Sequence, residues 1–409
     1  MPPRSPLAPE SPPSLPPVAG VRLAARACGV RYKDRTDVCL MAFEPGSTVA
    51  GVFTRSLTAS APVERCRKHV RGGRVRAILV NSGNANAFTG KGGTASVDRT
   101  VKAAAAQLGC KPTEVFVAST GVIGEPLPDE RITAALRELA ADLRADAWTS
   151  AAAAIMTTDT FPKLVTRTAA IDGVPVTING IAKGSGMIQP DMATMLAFLA
   201  TDAKLPAAVL QALLARGADR SFNCITVDSD TSTSDTLILA ATGRAGHRAV
   251  KTAGDRHLAD FRAKLEDLLV ELACLVVRDG EGAQKFIAID VTGAASDKAA
   301  RRIGLAVANS PLVKTAIAGG DANWGRIVMA VGKAGEKADR DRLRIGIGGV
   351  TIAENGQRRA NYDETPVARH IKGRDIAISI DVGVGKGKAR VWTCDLTHGY
   401  IDINADYRS

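Results

Sequence analysis

Lys183-Gly-Ser-Gly-Met-Ile-Gln-Pro-Asp-Met-Ala-Thr-Met-Leu-Ala-Phe198 is the stretch that decides how this chain is read. Gly184, Gly186 and Pro190 shape a loop, the small pair Ala193-Thr194 follows, and the apolar run Met195 to Ala200 has the composition of a buried strand. A cut between Ala193 and Thr194 would give Thr194 a free α-amine beside its own hydroxyl, so that one residue carries both nucleophile and base. The small Ala193 leaves its carbonyl open to that hydroxyl, the loop can strain the bond, and Lys183 lies upstream as a charge partner. The plain alternative is a threonine that opens a core strand, and residue type alone favours it.

Working outward, strand and helix signals alternate with no fixed repeat. Arg76 to Val80 reads as a short buried strand ending in a polar loop, Asn81-Ser82-Gly83-Asn84-Ala85-Asn86. Val97, Val101, Ala104, Ala105 and Leu108 share one helical face, and Gly109 stops that helix. Glu114 to Ala118 reads as a second strand, running into Ser119-Thr120-Gly121-Val122-Ile123-Gly124. Ile132, Leu136, Leu139 and Leu143 mark an amphipathic helix. Beyond Thr194 the pattern predicts a strand, then a helix through Val209, Leu210, Leu213 and Leu214 that stops at Gly217. A long helix carries Leu258, Phe261, Leu265, Leu268, Leu269 and Leu272, and a strand covers Phe286 to Val291. Ile376, Ile378, Ile380 and Val382 alternate; with a turn at Gly385 to Lys388 and a return through Ala389 to Leu396 they predict an antiparallel hairpin. The sum is an α/β (α+β) chain built as a layered sandwich of mixed sheets and helices.

A chain of 409 residues can bury a large core and hold two or three domains. Lysine and arginine number 53 against 42 acidic residues, a formal net charge of +11. The basic stretches, Arg65 to Arg74 and Arg256 with Arg262 and Lys264, are not interleaved with aromatics. They read as solvated faces rather than a nucleic-acid surface, and attraction for small carboxylates is an equal reading. Seven scattered cysteines form no Cys-x-x-Cys pair, which argues against a disulfide framework or a zinc site and for a reducing compartment. No apolar run reaches the roughly 18 residues of a membrane span. Residues 1–17 are proline-rich without an apolar h-region, so the expectation there is a disordered tail rather than a secretory signal.

Other motifs fail on context. Gly383-Val384-Gly385-Lys386-Gly387 lies in the expected hairpin turn, and Gly90-Lys91-Gly92 lacks the Ser or Thr that follows a phosphate-loop lysine. Asp228, Asp230 and Asp235 sit in a Ser/Thr-rich segment without the glycine and final glutamate of a calcium loop, and read as a capped polar loop. The five histidines are isolated and no nucleophile elbow surrounds Ser185, so neither metal hydrolysis nor a serine triad has support.

From about Val18 to Ser409 the chain resembles glutamate N-acetyltransferase, also called ornithine acetyltransferase, the ArgJ family of arginine biosynthesis. The resemblance rests on Asn81-Ser-Gly-Asn-Ala-Asn86, Ser119-Thr-Gly-Val-Ile-Gly124, Met156-Thr-Thr-Asp-Thr160, Lys183-Gly-Ser-Gly-Met187, Ala193-Thr-Met-Leu196, Asp279-Gly-Glu-Gly-Ala283 and Ala322-Asn-Trp-Gly-Arg326, in the family's order and approximate spacing. It implies an N-terminal-nucleophile-like fold and self-cleavage between Ala193 and Thr194, leaving an α chain (residues 1–193) and a β chain (residues 194–409). It implies Thr194 as the acyl-accepting nucleophile and Thr120 with Gly121 as the oxyanion pair. Thr157, Lys183, Thr194, Glu281, Asn404 and Ser409 fall on substrate-binding positions for N-acetylornithine and glutamate. A cytoplasmic α2β2 assembly without metal or bound cofactor is also implied; family members differ on whether acetyl-CoA serves as a further co-substrate, and no residue here decides it. Three positions depart from the family's habit: Gln189, Asp191 and Cys224, the first two close enough to the cut to affect its rate. Two rival readings use the same residues differently. One is a self-processed amidohydrolase or aminopeptidase that passes the acyl group to water; the other is a basic binding protein whose Thr194 is core and whose chain stays whole.

Overall fold

The computed structural model describes residues 3–189, 195–360 and 362–405. Its strands form three sheets. The first has the order β1 (Val21–Arg26), β2 (Val38–Phe43), β4 (Ala77–Asn84), β5 (Val115–Val122). The second has the order β3 (Thr48–Phe53), β9 (Thr236–Ala241), β8 (Leu196–Thr201), β7 (Val174–Lys183), β6 (Lys163–Ile171). The third has the order β13 (Gln357–Arg358), β12 (Val350–Glu354), β11 (Arg344–Ile347), β14 (Asp375–Asp381), β10 (Phe286–Ala294), β15 (Gly387–Cys394).

The second sheet is the central layer, and the two-residue period of its strands shows why. Leu196, Phe198 and Ala200 of β8, with Ile238 and Ala240 of β9, face a core shared with the first sheet. Ala197 and Leu199, with Leu237, Leu239 and Ala241, face a second core. That core also takes in the helices Ala207–Arg220 and Ala259–Arg278 and the third sheet. Strands covered on both faces have no polar side to offer, which is why β8 and β9 read as continuous apolar runs. The helices Gly90–Leu108 and Asp129–Ala141 cover the first sheet, and Gly109 ends the former with φ +59 as expected.

The layered α/β reading holds, with four local corrections. The expected polar loop at residues 81–86 begins as strand: β4 runs through Asn84, fully buried. Its polar groups are satisfied inside the protein. Ser119 Oγ donates to Asn81 Oδ1 (2.6 Å), Asn81 Nδ2 to the Asn84 carbonyl (2.8 Å), and Ser82 Oγ to the Ala154 carbonyl (2.8 Å). Gly217 does not stop its helix but lies inside it, where a Cβ would come within 2.3 Å of Leu269 Cδ1; the glycine lets two helices cross closely.

The expected hairpin between residues 376 and 396 is not one. The alternation is real, with Ile376, Ile378 and Ile380 buried, but β10 is inserted between the two strands, parallel to β14 and antiparallel to β15. The expected disordered tail is instead tied to the body at several points between residues 5 and 16. Leu7 and Leu15 are buried in the two cores, Ser5 N–H donates to Thr160 Oγ1 (2.9 Å), Ser5 Oγ donates to the Arg278 carbonyl (2.6 Å), and Asn179 Nδ2 donates to the Pro16 carbonyl (2.6 Å). Leucines among the prolines supply the apolar surface that a disordered segment would lack.

Candidate active site

A cavity of about 160 Å³ opens where the first and second sheets meet the C-terminal helix His398–Ala405. Thr120, Gly121, Thr157, Lys183, Glu281 and Asn404 all line it, joined by Thr158, Gly186, Met195, Asp228, Asp235 and Tyr400. Of the residues singled out in the sequence, Ala193, Thr194, Asp191 and Ser409 lie outside the described residues. Met195 and Leu196, which follow Thr194 directly, are described and form part of the wall.

The oxyanion candidates sit at an irregularity. β4 and β5 pair in parallel up to Gly83, after which Asn84 lies opposite both Thr120 and Val122. Gly121 takes φ +131, and a Cβ there would lie 2.3 Å from the Gly83 carbonyl carbon. Only glycine fits this close approach and this dihedral. This irregularity lies directly beside the Thr120-Gly121 backbone, which forms part of the cavity wall.

Lys183 ends β7, opposite Leu196 in register. Its ammonium donates to Thr120 Oγ1 (3.3 Å). Burial pushes its pKa down, the nearby Asp159 carboxylate opposes this, and the Lys163 ammonium adds to the fall. Behind it lies a charged triad with no exposed side-chain surface. Lys163 Nζ donates to Asp159 Oδ1 (2.6 Å) and to Asp279 Oδ2 (2.6 Å). Asp159 also accepts from the Gly184 N–H (2.6 Å) and the Thr157 N–H (2.9 Å). Burial alone would raise the Asp159 carboxyl, but the Lys163 and Lys183 ammoniums hold it below the usual carboxylate range. Lys163 is likewise lowered by burial and raised further by its two carboxylates, so it stays charged. The triad therefore fixes the loop that follows β7 and the Thr157 backbone together.

Glu281 follows Asp279 and is 8% exposed. Its N–H donates to the Ser185 carbonyl (3.0 Å), and Asn404 Nδ2 donates to its Oε2 (2.8 Å). A Cβ on Gly186 would come within 2.3 Å of Glu281 Oε2, so this glycine makes room for the carboxylate. Burial raises the Glu281 carboxyl, against the Asn404 amide and Thr158 hydroxyl, which lower it.

Asp228 anchors the other side. It accepts from the Met187 N–H (2.6 Å), the Ile188 N–H (2.8 Å) and Tyr400 OH (3.3 Å). The capped-loop reading of this acidic stretch describes Asp228 well, although that loop also lines the cavity. Gln189 is tied down as well: Asn309 Nδ2 donates to its Oε1 (2.6 Å) and Thr231 Oγ1 to its carbonyl (3.0 Å). Asp235 is 1% exposed, and burial pushes it well above the usual carboxylate range, against the Thr54 and Ser232 hydroxyls, which lower it.

Sequence reasoning did not point to Thr158, Lys163, Asp228, Asp235 or Tyr400 as site residues. Asp159 and Asp279 lie inside two of the quoted motifs, but their link through Lys163 exists only in the folded chain. Nothing in the local sequence marks Tyr400.

The ArgJ family model matches residues 22–409. The chain belongs to the ArgJ family. It is 57% identical over 408 residues to the arginine biosynthesis bifunctional protein ArgJ of Agrobacterium fabrum, covering 99% of each chain. It is 59% identical over 397 residues to the protein of the same name from Gluconobacter oxydans, covering 97% of this chain and 94% of the relative. Among solved structures it matches the ornithine acetyltransferase of Mycobacterium tuberculosis, complexed with ornithine, at TM-score 0.39 and 35% identity, over 43% of this chain and 94% of that one. This ArgJ-family chain thus carries the family's motifs on a layered α/β body. No helix among the described residues is long and apolar enough to cross a membrane.

Proposed function

We propose that this protein moves an acetyl group from N-acetylornithine to glutamate through an acetyl ester on Thr194, after cutting itself between Ala193 and Thr194. The observation that carries the reading is convergence. Thr120, Gly121, Thr157, Lys183, Glu281 and Asn404 come from separate segments of the chain and line one cavity, which also takes in Met195, the residue after the nucleophile.

In maturation the Thr194 hydroxyl attacks the Ala193 carbonyl, the amide becomes an ester, and water releases the α chain. The new α-amine, with an ordinary pKa of about 7.7–8, is partly neutral at physiological pH and serves as the base. In turnover Thr194 Oγ bonds to the acetyl carbon of N-acetylornithine. The oxyanion is held by donors from Thr120 and Gly121, one such donor being worth roughly 3–4 kcal/mol. The carbon–nitrogen bond breaks and the hydroxyl proton passes through the α-amine to the departing ornithine amine. The glutamate amine then attacks the ester and regenerates Thr194. Lys183 is the partner for the α-carboxylate common to both substrates, and Thr157, Asn404 and Ser409 complete their binding. The chemistry calls on no metal or bound cofactor. The bifunctional label of the relatives supports a second activity, with acetyl-CoA as an alternative acetyl donor. The α2β2 assembly and the cytoplasmic location are carried by the resemblance alone.

Intact-mass measurement of the purified protein beside Thr194→Ala tests the reading. Two wild-type fragments, the second beginning with threonine, an uncut variant, and acetyl transfer that requires glutamate are expected. A single uncut wild-type chain would sink the nucleophile assignment, and acetate release at the same rate without glutamate would favour hydrolysis.

A further inference from the structure

We infer that Glu281 adapts its charge to the substrate in the cavity: as a carboxylate it holds the side-chain ammonium of ornithine, and it takes up one proton when the side-chain carboxylate of glutamate occupies the same place. This deepens the acyl-transfer reading and rests on it. The two substrates share an α-amino-acid end, and their side chains end in opposite charges. One cavity must receive both in each cycle.

The groups that face Glu281 leave it as the one able to adjust. Lys183, on β7, is turned toward Thr120 at the reacting end. Asp159, Lys163 and Asp279 are committed to one another in the buried triad. Asp228 is engaged by the Met187 and Ile188 N–H groups, the Asp230 N–H (3.2 Å) and Tyr400 OH. Asp230 is exposed at the rim. Asp235 also lines the cavity, but its carboxyl oxygens are buried and burial already holds it well above the usual carboxylate range. Glu281 joins a buried carboxylate on the cavity wall to spare acceptor capacity, since a carboxylate offers about four lone-pair sites and, among the described residues, the Asn404 amide and the Thr158 hydroxyl take two.

An ammonium beside the ionised Glu281 is a charge-assisted pair in a poorly screened place. A second carboxylate in that position cannot be tolerated with both acids ionised, because like charges at contact force one to keep a proton. The protonated Glu281 then donates to the substrate carboxylate. Burial and the neighbouring Asp228 already favour the protonated form, with Asn404, Thr158 and Lys183 acting against it. The proton that enters with glutamate leaves with N-acetylglutamate, so a full turnover consumes none.

The test is calorimetric titration of the mature enzyme with glutamate and, separately, with ornithine, near neutral pH in two buffers of different ionisation enthalpy. It is repeated on Glu281→Gln, which has the same shape and can still accept from Asn404. Expected are uptake approaching one proton with glutamate and about none with ornithine in the wild type. In the variant that uptake disappears, glutamate affinity stays within about threefold, and ornithine affinity falls at least about tenfold. Equal weakening of both ligands, or unchanged proton uptake in the variant, overturns the inference while leaving acyl transfer standing. A wild-type enzyme that is cut but binds neither ligand overturns the acyl-transfer reading and this inference with it.

Discussion

Asp235 keeps its carboxyl almost wholly buried, a place that favours the neutral group. Its folded pKa is raised, so the folded chain binds one more proton than the unfolded chain between the unfolded value of about 3.9 and the folded one. Stability from this group is therefore full below about pH 4 and is lost as pH rises, by about 1.4 kcal/mol per pH unit across that window. Asp235→Asn has no such proton. Denaturant titrations from pH 4.5 to 7 should show the variant gaining on the wild type as pH increases; a constant offset would mean that Asp235 ionises normally. Lys163 is the opposite case, a buried cation fully matched by Asp159 and Asp279. Lys163→Met strands two buried carboxylates and should cost about 3–5 kcal/mol in a urea titration, whereas a loss below about 1 kcal/mol would show that the triad is not held as charged groups.

At the level of strands and helices, glycine does two kinds of work at the end of β5 and just beyond it. Gly121 sits against the β4 backbone with φ +131, while Gly124 has φ +85 and open space within 4 Å of where a Cβ would stand. Gly121→Ala should lower kcat by about 10²-fold or more, as loss of an oxyanion donor does, and should lower the melting midpoint as well. Gly124→Ala should cost about 1–3 kcal/mol of backbone strain and leave kcat unchanged. Equal kinetic effects of the two variants would detach the bulge from catalysis. Much of this level was legible beforehand. The helix ending at Gly109, the strand after Thr194 and the two strands expected at Arg76 to Val80 and Glu114 to Ala118 follow from periodicity and punctuation. What was not legible is pairing. Nothing in Ile376 to Val382 says that Phe286 to Ala294 will insert beside it, because a strand's alternation fixes its faces and leaves its neighbours open. Nor does a polar run such as Asn81 to Asn84 announce that its partners, Ser119 and Ala154, will reach it from elsewhere.

On the scale of the molecule, the central sheet takes β3, β6 and β7 from before residue 194 and β8 and β9 from after it, with β8 paired to β7 and β9 paired to β3. The first sheet lies wholly before that point and the third wholly after it. A cut at Ala193-Thr194 therefore severs the chain without opening a core. The two fragments should co-elute in size-exclusion chromatography and unfold in one transition, separating only in denaturant; dissociation in native buffer would contradict the shared sheet. The candidate site was visible in the sequence as a set of residues, because motifs survive as short strings. Its electrostatics were not, since Lys163 meets Asp279 across 116 positions.

Residues near both ends of the chain are anchored to the same short run, Asp279-Gly280-Glu281. Ser5 reaches it through Thr160, which donates to Asp279 (2.5 Å), and Asn404 reaches it directly at Glu281. Affinity tags are usually added at termini on the assumption that termini are inert. The anchors at Ser5 and Asn404 hold the two sides of one run on the cavity wall, so enzyme freed of its tags is the preparation on which rates and affinities should be compared.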